Sequence, residues 1–174
     1  MSNLMRPILF ASLAFAAPAV LPGQAAGAEA AQCTSPSGAA LMVDVRGFKK
    51  TRGDLRVQVY GSDPAQFVKG GKRIARIDMP VRSDPMQVCV PLPAPGRYAV
   101  AVRHDINGDG KGGMSDGGGF SRNPGISVGD AIARRMPPYE EVAINVGPSV
   151  KKVDIVLQYM RGLFSIGPVK SGDR

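Results

Sequence analysis

The residues of this chain most able to do chemistry lie in one run, His104-Asp105-Ile106-Asn107-Gly108-Asp109-Gly110-Lys111-Gly112-Gly113-Met114-Ser115-Asp116. Set against the twelve-residue calcium loop, Asp105, Asn107 and Asp109 fill positions one, three and five. Gly110 fills the sharp turn at six, Lys111 supplies the carbonyl of seven, and Asp116 falls on twelve. Calcium wants six to eight oxygens, and these five residues offer at least five, with water completing the shell. No helix precedes the run, Gly112 stands where an apolar residue usually pins such a loop, and Asp116 is shorter than the usual glutamate. Binding in the loose range of extracellular modules, about 10⁻⁴ to 10⁻³ M, is the expectation. The same Asp, Asn and Gly residues are also turn formers, which close Asx-turns without any metal.

His104 is the only histidine. With Asp105 it is the one pair that could serve a hydrolase or isomerase, but neither Ser115 nor Ser121 sits in a recognisable nucleophile motif. The strand parity places His104 with Val100 and Val102 on an inward face, which favours a structural imidazole. Glu140 and Glu141 are adjacent on an expected strand, so they face opposite sides and form no dyad. The Gly117-Gly118-Gly119 run lacks the strand-to-helix setting of a phosphate loop. The residues therefore predict no catalytic site.

The elements that must position this loop read as strands. Leu41, Val43 and Val45 alternate with polar or outward positions, as do Leu55, Val57 and Val59 after a turn at 49–54. Ala75, Ile77, Met79 and Val81 make a third strand, and Met86, Val88, Val90 and Leu92 a fourth, the two joined as a hairpin. Tyr98, Val100, Val102 and His104 run down a fifth, and Val142, Ile144 and Val146 are expected to pair with Val153, Ile155, Leu157 and Tyr159. One-sided alternation is antiparallel behaviour. Seven such strands predict an all-β antiparallel sandwich of immunoglobulin-like or transthyretin-like type, with one long glycine-rich loop. At most one short helix is expected, at Ser127–Arg135 with Ser127 as its cap. The interval 105–138 shows no strand pattern, and the tail after Met160 has no clear periodicity.

Residues 1–28 read as a secretory signal: Arg6, an apolar stretch from Ile8 to Leu21, then Ala26-Gly27-Ala28, with Ala28-Glu29-Ala30 as a second cut site. About 14 apolar residues are too few to span a bilayer, so the chain is not expected to be an integral membrane protein. The expected organisation is a signal at 1–28, an N-terminal segment at 29–37, a sandwich domain at 38–160 and a tail at 161–174. A periplasmic or secreted protein keeps its thiols oxidised, so Cys33 and Cys89 are expected to pair across the outside of the sheet. The chain of 174 residues carries 22 Lys and Arg against 14 Asp and Glu. Its cations are scattered and no aromatics interleave with them, so nucleic acid is not an expected partner. Lys49, Lys50, Arg52, Lys151 and Lys152 are candidates for weak contact with anionic glycans or lipid head groups, and an envelope protein is the other class of partner expected.

Four ordered motifs carry a resemblance. They are Pro95-Gly96-Arg97-Tyr98-Ala99-Val100-Ala101-Val102, then His104 through Lys111, then Gly119-Phe120-Ser121-Arg122-Asn123, then Pro137-Pro138-Tyr139-Glu140-Glu141-Val142. Over about Gly38 to Met160 the chain resembles the exported bacterial domain of unknown function family 2141. The resemblance implies a β-sandwich akin to transthyretin-like and carboxypeptidase-regulatory domains, and brings no established activity. The reading of the sequence is thus an exported, non-enzymatic module with a calcium-stabilised or partner-contacting loop.

Overall fold

The computed structural model describes residues 33, 35–133, 135–162 and 165–170, so the expected signal segment lies outside the described residues. Ten strands are present among them: β1 (Ala40–Arg46), β2 (Asp54–Tyr60), β3 (Ala75–Pro80), β4 (Met86–Pro91), β5 (Gly96–Asp105), β6 (Gly117–Phe120), β7 (Ile144–Val146), β8 (Val150–Val156), β9 (Gln158–Met160) and β10 (Ile166–Gly167). Two short helices, α1 (Val128–Ile132) and α2 (Tyr139–Val142), and a 3₁₀ turn at Pro64–Gln66 complete them. The strands form sheet A, in the order β4-β1-β8, and sheet B, in the order β10-β9-β6-β5-β2-β3, with β7 also on β5. The fold is an all-β sandwich.

The alternation seen in the sequence is the alternation of the core. Leu41, Val43 and Val45 of β1 and Val88 and Val90 of β4 meet Leu55, Val57 and Val59 of β2 and Val100 and Val102 of β5, with Ile155 and Leu157 beside them. Each such side chain contributes about 1.5–3 kcal/mol by leaving water. A second cluster lies on the outer face of sheet B, where Tyr60, Phe67, Phe120 and Tyr139 pack edge to face. There Arg97 stands 5.4 Å over the Tyr139 ring and ion-pairs with Glu140.

Several pairings differ from the expected ones. β1 and β2 are not partners, nor are β3 and β4. β1 pairs antiparallel with β4, and β2 with β3 and β5, so each expected hairpin instead crosses between the sheets. β7 pairs with β5, not with β8, and β8 lies parallel to β1. Alternation reports which face of a strand is buried and is silent about its neighbour. The run from Val153 to Tyr159 is two strands, because the chain passes at Leu157 from sheet A to sheet B while every second residue still faces the core. Glu140 and Glu141 lie on α2 and not on a strand. α1 bears out the expected helix, and the Ser127 hydroxyl accepts from the Asp130 amide at 3.1 Å. Sheet B continues past Met160 through β10, whose Gly167 pairs with Tyr159.

β6 is the strand with no signature, since three of its four residues are glycine. A Cβ on Gly117 would lie 2.4 Å from the Tyr159 ring, and one on Gly119 would lie 2.7 Å from Ile155 Cγ2. The backbone of β6 thus occupies space that side chains elsewhere would fill. Beyond it, Asn123 adopts a left-handed φ of 49° and spans the free edge of β8. Its amide accepts from Val156 N–H at 2.7 Å and donates to the Asp154 carbonyl at 2.9 Å, which closes that stretch of edge to other strands.

Cys33 and Cys89 form a disulfide with their Cα atoms 5.4 Å apart. Cys89 pairs with Met42 on the outward side of sheet A, and Cys33, Ala40 and Met42 make a small buried cluster there. The Ser35–Gly38 turn, closed by Gly38 N–H to Ser35 C=O at 2.9 Å, brings the chain from Cys33 into β1.

Candidate functional site

The long loop leaves β5 at Asp105 and enters β6 at Gly117. Asp105 is only 3% exposed. Its Oδ1 accepts the Gly108 amide and its Oδ2 the Gly110 amide, both at 2.8 Å. Gly108 and Gly110 have φ of 68° and 75°, which glycine adopts without steric cost and which aims both N–H groups at one carboxylate. Asp116 performs the same task from the other end: Oδ2 accepts from Gly113 N–H at 2.8 Å and Oδ1 from Ile106 N–H at 3.3 Å. Asp109 takes the Lys111 amide at 2.7 Å and the Asn107 side-chain amide at 2.9 Å. The Lys111 amide, with Asn107, holds the Asp109 carboxyl below the usual carboxylate range.

One residue of this arrangement has no counterpart in the sequence reading. Arg103, two positions before Asp105 on the outward face of β5, donates to the Gly110 carbonyl at 2.9 Å and lies 3.4 Å from Asp105 Oδ2. It ties the middle of the loop to the sheet and neutralises the buried carboxylate. An arginine on the same strand face as a loop-closing aspartate was the available signal.

Of the five residues expected as calcium ligands, Asp105, Asn107, Asp109, Lys111 and Asp116 are all gathered in this loop. The carboxylate oxygens of Asp105, Asp109 and Asp116 are engaged with amides of the loop itself. Among the described residues no group of three or more His, Cys, Asp or Glu comes together to hold a metal ion. What the geometry does is hold a polar loop of mostly exposed residues in one shape. Met114, at its tip, is 67% exposed.

His104 lies directly beneath. It is fully buried, and both ring nitrogens are taken. Nε2 is 2.8 Å from the Arg52 carbonyl and so carries the proton. Nδ1, 2.6 Å from the Tyr159 hydroxyl, therefore accepts, while that hydroxyl itself accepts from the Lys49 amide at 3.2 Å. Phe48 and Tyr159 pack edge-on against the ring. Such an imidazole has no lone pair for a substrate proton and no path to solvent. Ser121 is equally enclosed, bonded to the Val142 carbonyl at 2.5 Å and to the Val100 amide at 3.0 Å. Asp105, the other member of the alternative acid–base pair, is spent on the loop.

Burial depresses the pKa of His104, against the smaller opposing influence of the Arg52 carbonyl and the Asp116 and Asp105 charges. Unfolded, the same side chain titrates near about 6.5. Above that pH both states are neutral and stability is flat. As pH falls below about 6.5 the unfolded chain takes up the proton first, so stability declines until the folded-state value is passed. Because His104 is the only histidine, an NMR titration of its C2 proton should show a midpoint below 6.5, with the thermal midpoint falling from pH 6.5 towards 5. A histidine midpoint at or above 6.5 would contradict the buried neutral ring.

The cations proposed as an anion-binding set are divided. Lys49, Lys50 and Arg52 follow the C-terminal end of β1, whereas Lys151 and Lys152 pair with Leu41 and Met42 near its start. From Met42 to the end of β1 at Arg46 the strand runs about 13 Å, so the two groups lie towards opposite ends of the strand. Lys152 is moreover held by Asp44 at 3.2 Å and Asp154 at 3.7 Å.

The motifs quoted for the family resemblance meet in space: Ser121 binds Val142, and Arg122 donates to the Glu140 carbonyl at 2.9 Å. Residues 43–154 match a family described as an uncharacterized protein conserved in bacteria (DUF2141). No curated protein and no solved structure matches the chain.

Proposed function

The chain belongs to this DUF2141 family, and from that premise we propose that it is an exported, non-catalytic sandwich module whose 105–116 loop is a contact edge for another envelope component. The observation that carries the reading is the loop's internal bracing. Asp105, Asp116 and Arg103 are spent on shaping a surface, and a loop ordered in advance binds without meeting the ordering cost at the moment of contact. Functional loops on rigid sheets are the common arrangement for recognition. The disulfide suits an oxidising compartment, which supports export and a periplasmic or secreted location. The burial of His104 and Ser121 supports a role without acid–base or nucleophilic chemistry.

A photo-crosslinking residue placed at Met114, in cells expressing the full chain, tests this. Discrete adducts from position 114, absent when the same group stands at the exposed Ile74 on the opposite margin of sheet B, are the expected result. Adducts absent from both positions, or equal at both, would contradict it.

Calcium gives a second reading of the same loop, favoured by the unbroken spacing of Asp105, Asn107, Asp109, Lys111 and Asp116. In that reading the ion, and not the loop's amides, fixes the edge. Anionic glycans are the weaker alternative as partners, since the five cations cannot meet one short ligand. The two readings of the loop differ in what holds it when calcium is removed.

A further inference from the structure

The connection from β2 to β3 carries charge that the fold does not use. From Pro64 to Ile77 the chain has the cations Lys69, Lys72, Arg73 and Arg76 and no acid. Arg76 shares Asp78 with Arg56, each at 2.5 Å. Among the described residues, Lys69, Lys72 and Arg73 make no ion pair. Three cations within five residues repel one another and gain by facing anions.

The turn that presents them is firmly built. Asp63 caps its start, accepting from the Ala65 amide at 2.9 Å and from the Gln66 side-chain amide at 2.8 Å. Phe67 is buried in the aromatic cluster on the outer face of sheet B, and Val68 packs on the same cluster. Val68 has φ of 53°, a left-handed conformation that a β-branched residue adopts only when its surroundings impose it. The reversal there leaves Lys69-Gly70-Gly71-Lys72 as an exposed tip, closed by Lys69 N–H to Gln66 C=O at 3.1 Å and Lys72 N–H to Lys69 C=O at 3.2 Å. A Cβ on Gly70 or Gly71 would meet nothing within 4 Å, so the backbone between the cations is open to close approach. Tyr60 and Phe67 are buried, so neither ring is available to stack on a sugar. What remains is a small basic surface suited to phosphates.

The strand β2 fixes where this tip stands. Asp54 pairs with Asp105 and Tyr60 with Ala99, so the tip follows the opposite end of β2 from the 105–116 loop, with about 20 Å of strand between them.

We propose that Lys69, Lys72 and Arg73 dock the protein on an anionic phospholipid surface through the head-group phosphates, with the 105–116 loop held at the far end of sheet B. No helix among the described residues is long and apolar enough to cross a membrane, and this contact needs none. The docking is independent of the contact-edge reading, and a lipid face here yields no discrete protein adduct at the neighbouring Ile74.

Co-sedimentation of the full chain with vesicles tests this, comparing phosphatidylcholine alone with phosphatidylcholine containing about one third phosphatidylglycerol. Binding to the neutral vesicles measures any contribution from the apolar stretch between Ile8 and Leu21. Each cation near an anionic surface multiplies partitioning about fivefold, so Lys69→Gln/Lys72→Gln/Arg73→Gln should lower binding to the anionic vesicles about a hundredfold. Its thermal midpoint should not move, because none of the three makes an ion pair. Lys49→Gln/Lys50→Gln/Arg52→Gln removes the same charge from the turn before β2 and should keep wild-type binding to within about threefold. Wild-type binding should fall steeply between about 0.1 and 0.5 M salt. Equal binding to both kinds of vesicle, retention by the tip variant, or equal loss in the two triple variants would overturn the proposal. Tighter binding to a phosphate-bearing polysaccharide than to the vesicles, lost in the tip variant, would overturn the lipid assignment and give the tip to a glycan.

Discussion

Replacing Cys33 and Cys89 together by alanine is expected to destabilise the protein by about 4 kcal/mol, from the 56-residue separation and the chain-entropy account of a cross-link. The loss has a structural counterpart. Without the bond, the segment around Cys33 is held to sheet A by the Ser35–Gly38 turn and by the Ser37 hydroxyl on the Leu92 carbonyl at 2.7 Å. Neutral hydrogen bonds contribute about 1 kcal/mol each. Releasing the strap would also bring water to Ala40 and Met42, both now buried. Urea unfolding of the double variant and of the reduced wild type should therefore give matching midpoints, both far below the oxidised protein. A difference under about 1 kcal/mol would mean that the bond closes on a face already fixed by other contacts.

The second large effect is expected at Gly53. A Cβ there would fall 2.1 Å from the Asp105 carbonyl oxygen and 2.8 Å from the Ile106 carbonyl carbon, both backbone atoms at the root of the loop. The residue also has φ of 77°, a conformation costing an L-residue about 1–2 kcal/mol even where space is open. Backbone cannot rotate away as a side chain can. Gly53→Ala should therefore cost more than about 3 kcal/mol or prevent folding, since close packing leaves no room to relax. Gly110→Ala is the informative partner. Its φ is 75°, but nothing lies within 4 Å, so only the conformational cost of about 1–2 kcal/mol should appear. Equal destabilisation by the two would show that the strand–loop contact at Gly53 is not the constraint.

Gly53 also shows what could be read from the residues and what could not. Strand positions and inward faces were legible because burial imposes a period of two, and His104, Tyr98 and Leu157 all lie where that period put them. Pairing was not legible, since Leu41 and Leu55 obey the same alternation whether they share a sheet or face one another across the core. β6 was hidden because its glycines exist to admit Tyr159 and Ile155, contacts between residues distant in sequence. The expected strand at Glu140–Glu141 is a helical turn, where Tyr139 and Val142 reach the core from one side and Glu140 turns to Arg97. In the loop the acidic spacing was visible, and it fits both a metal loop and a set of turns. What separates them is where the amides of Gly108, Gly110 and Gly113 point, a property of backbone conformation that residue identity permits without specifying.

The most direct measurement is amide hydrogen exchange of the 105–116 loop in the purified protein, first with chelator and then with millimolar calcium. A loop braced by Asp105 should show Gly108 and Gly110 amides already protected in chelator, unchanged by calcium, and released by Asp105→Ala. Exchange at the unprotected rate in chelator, with protection only on adding calcium, would contradict the self-braced edge and establish the ion as its organiser.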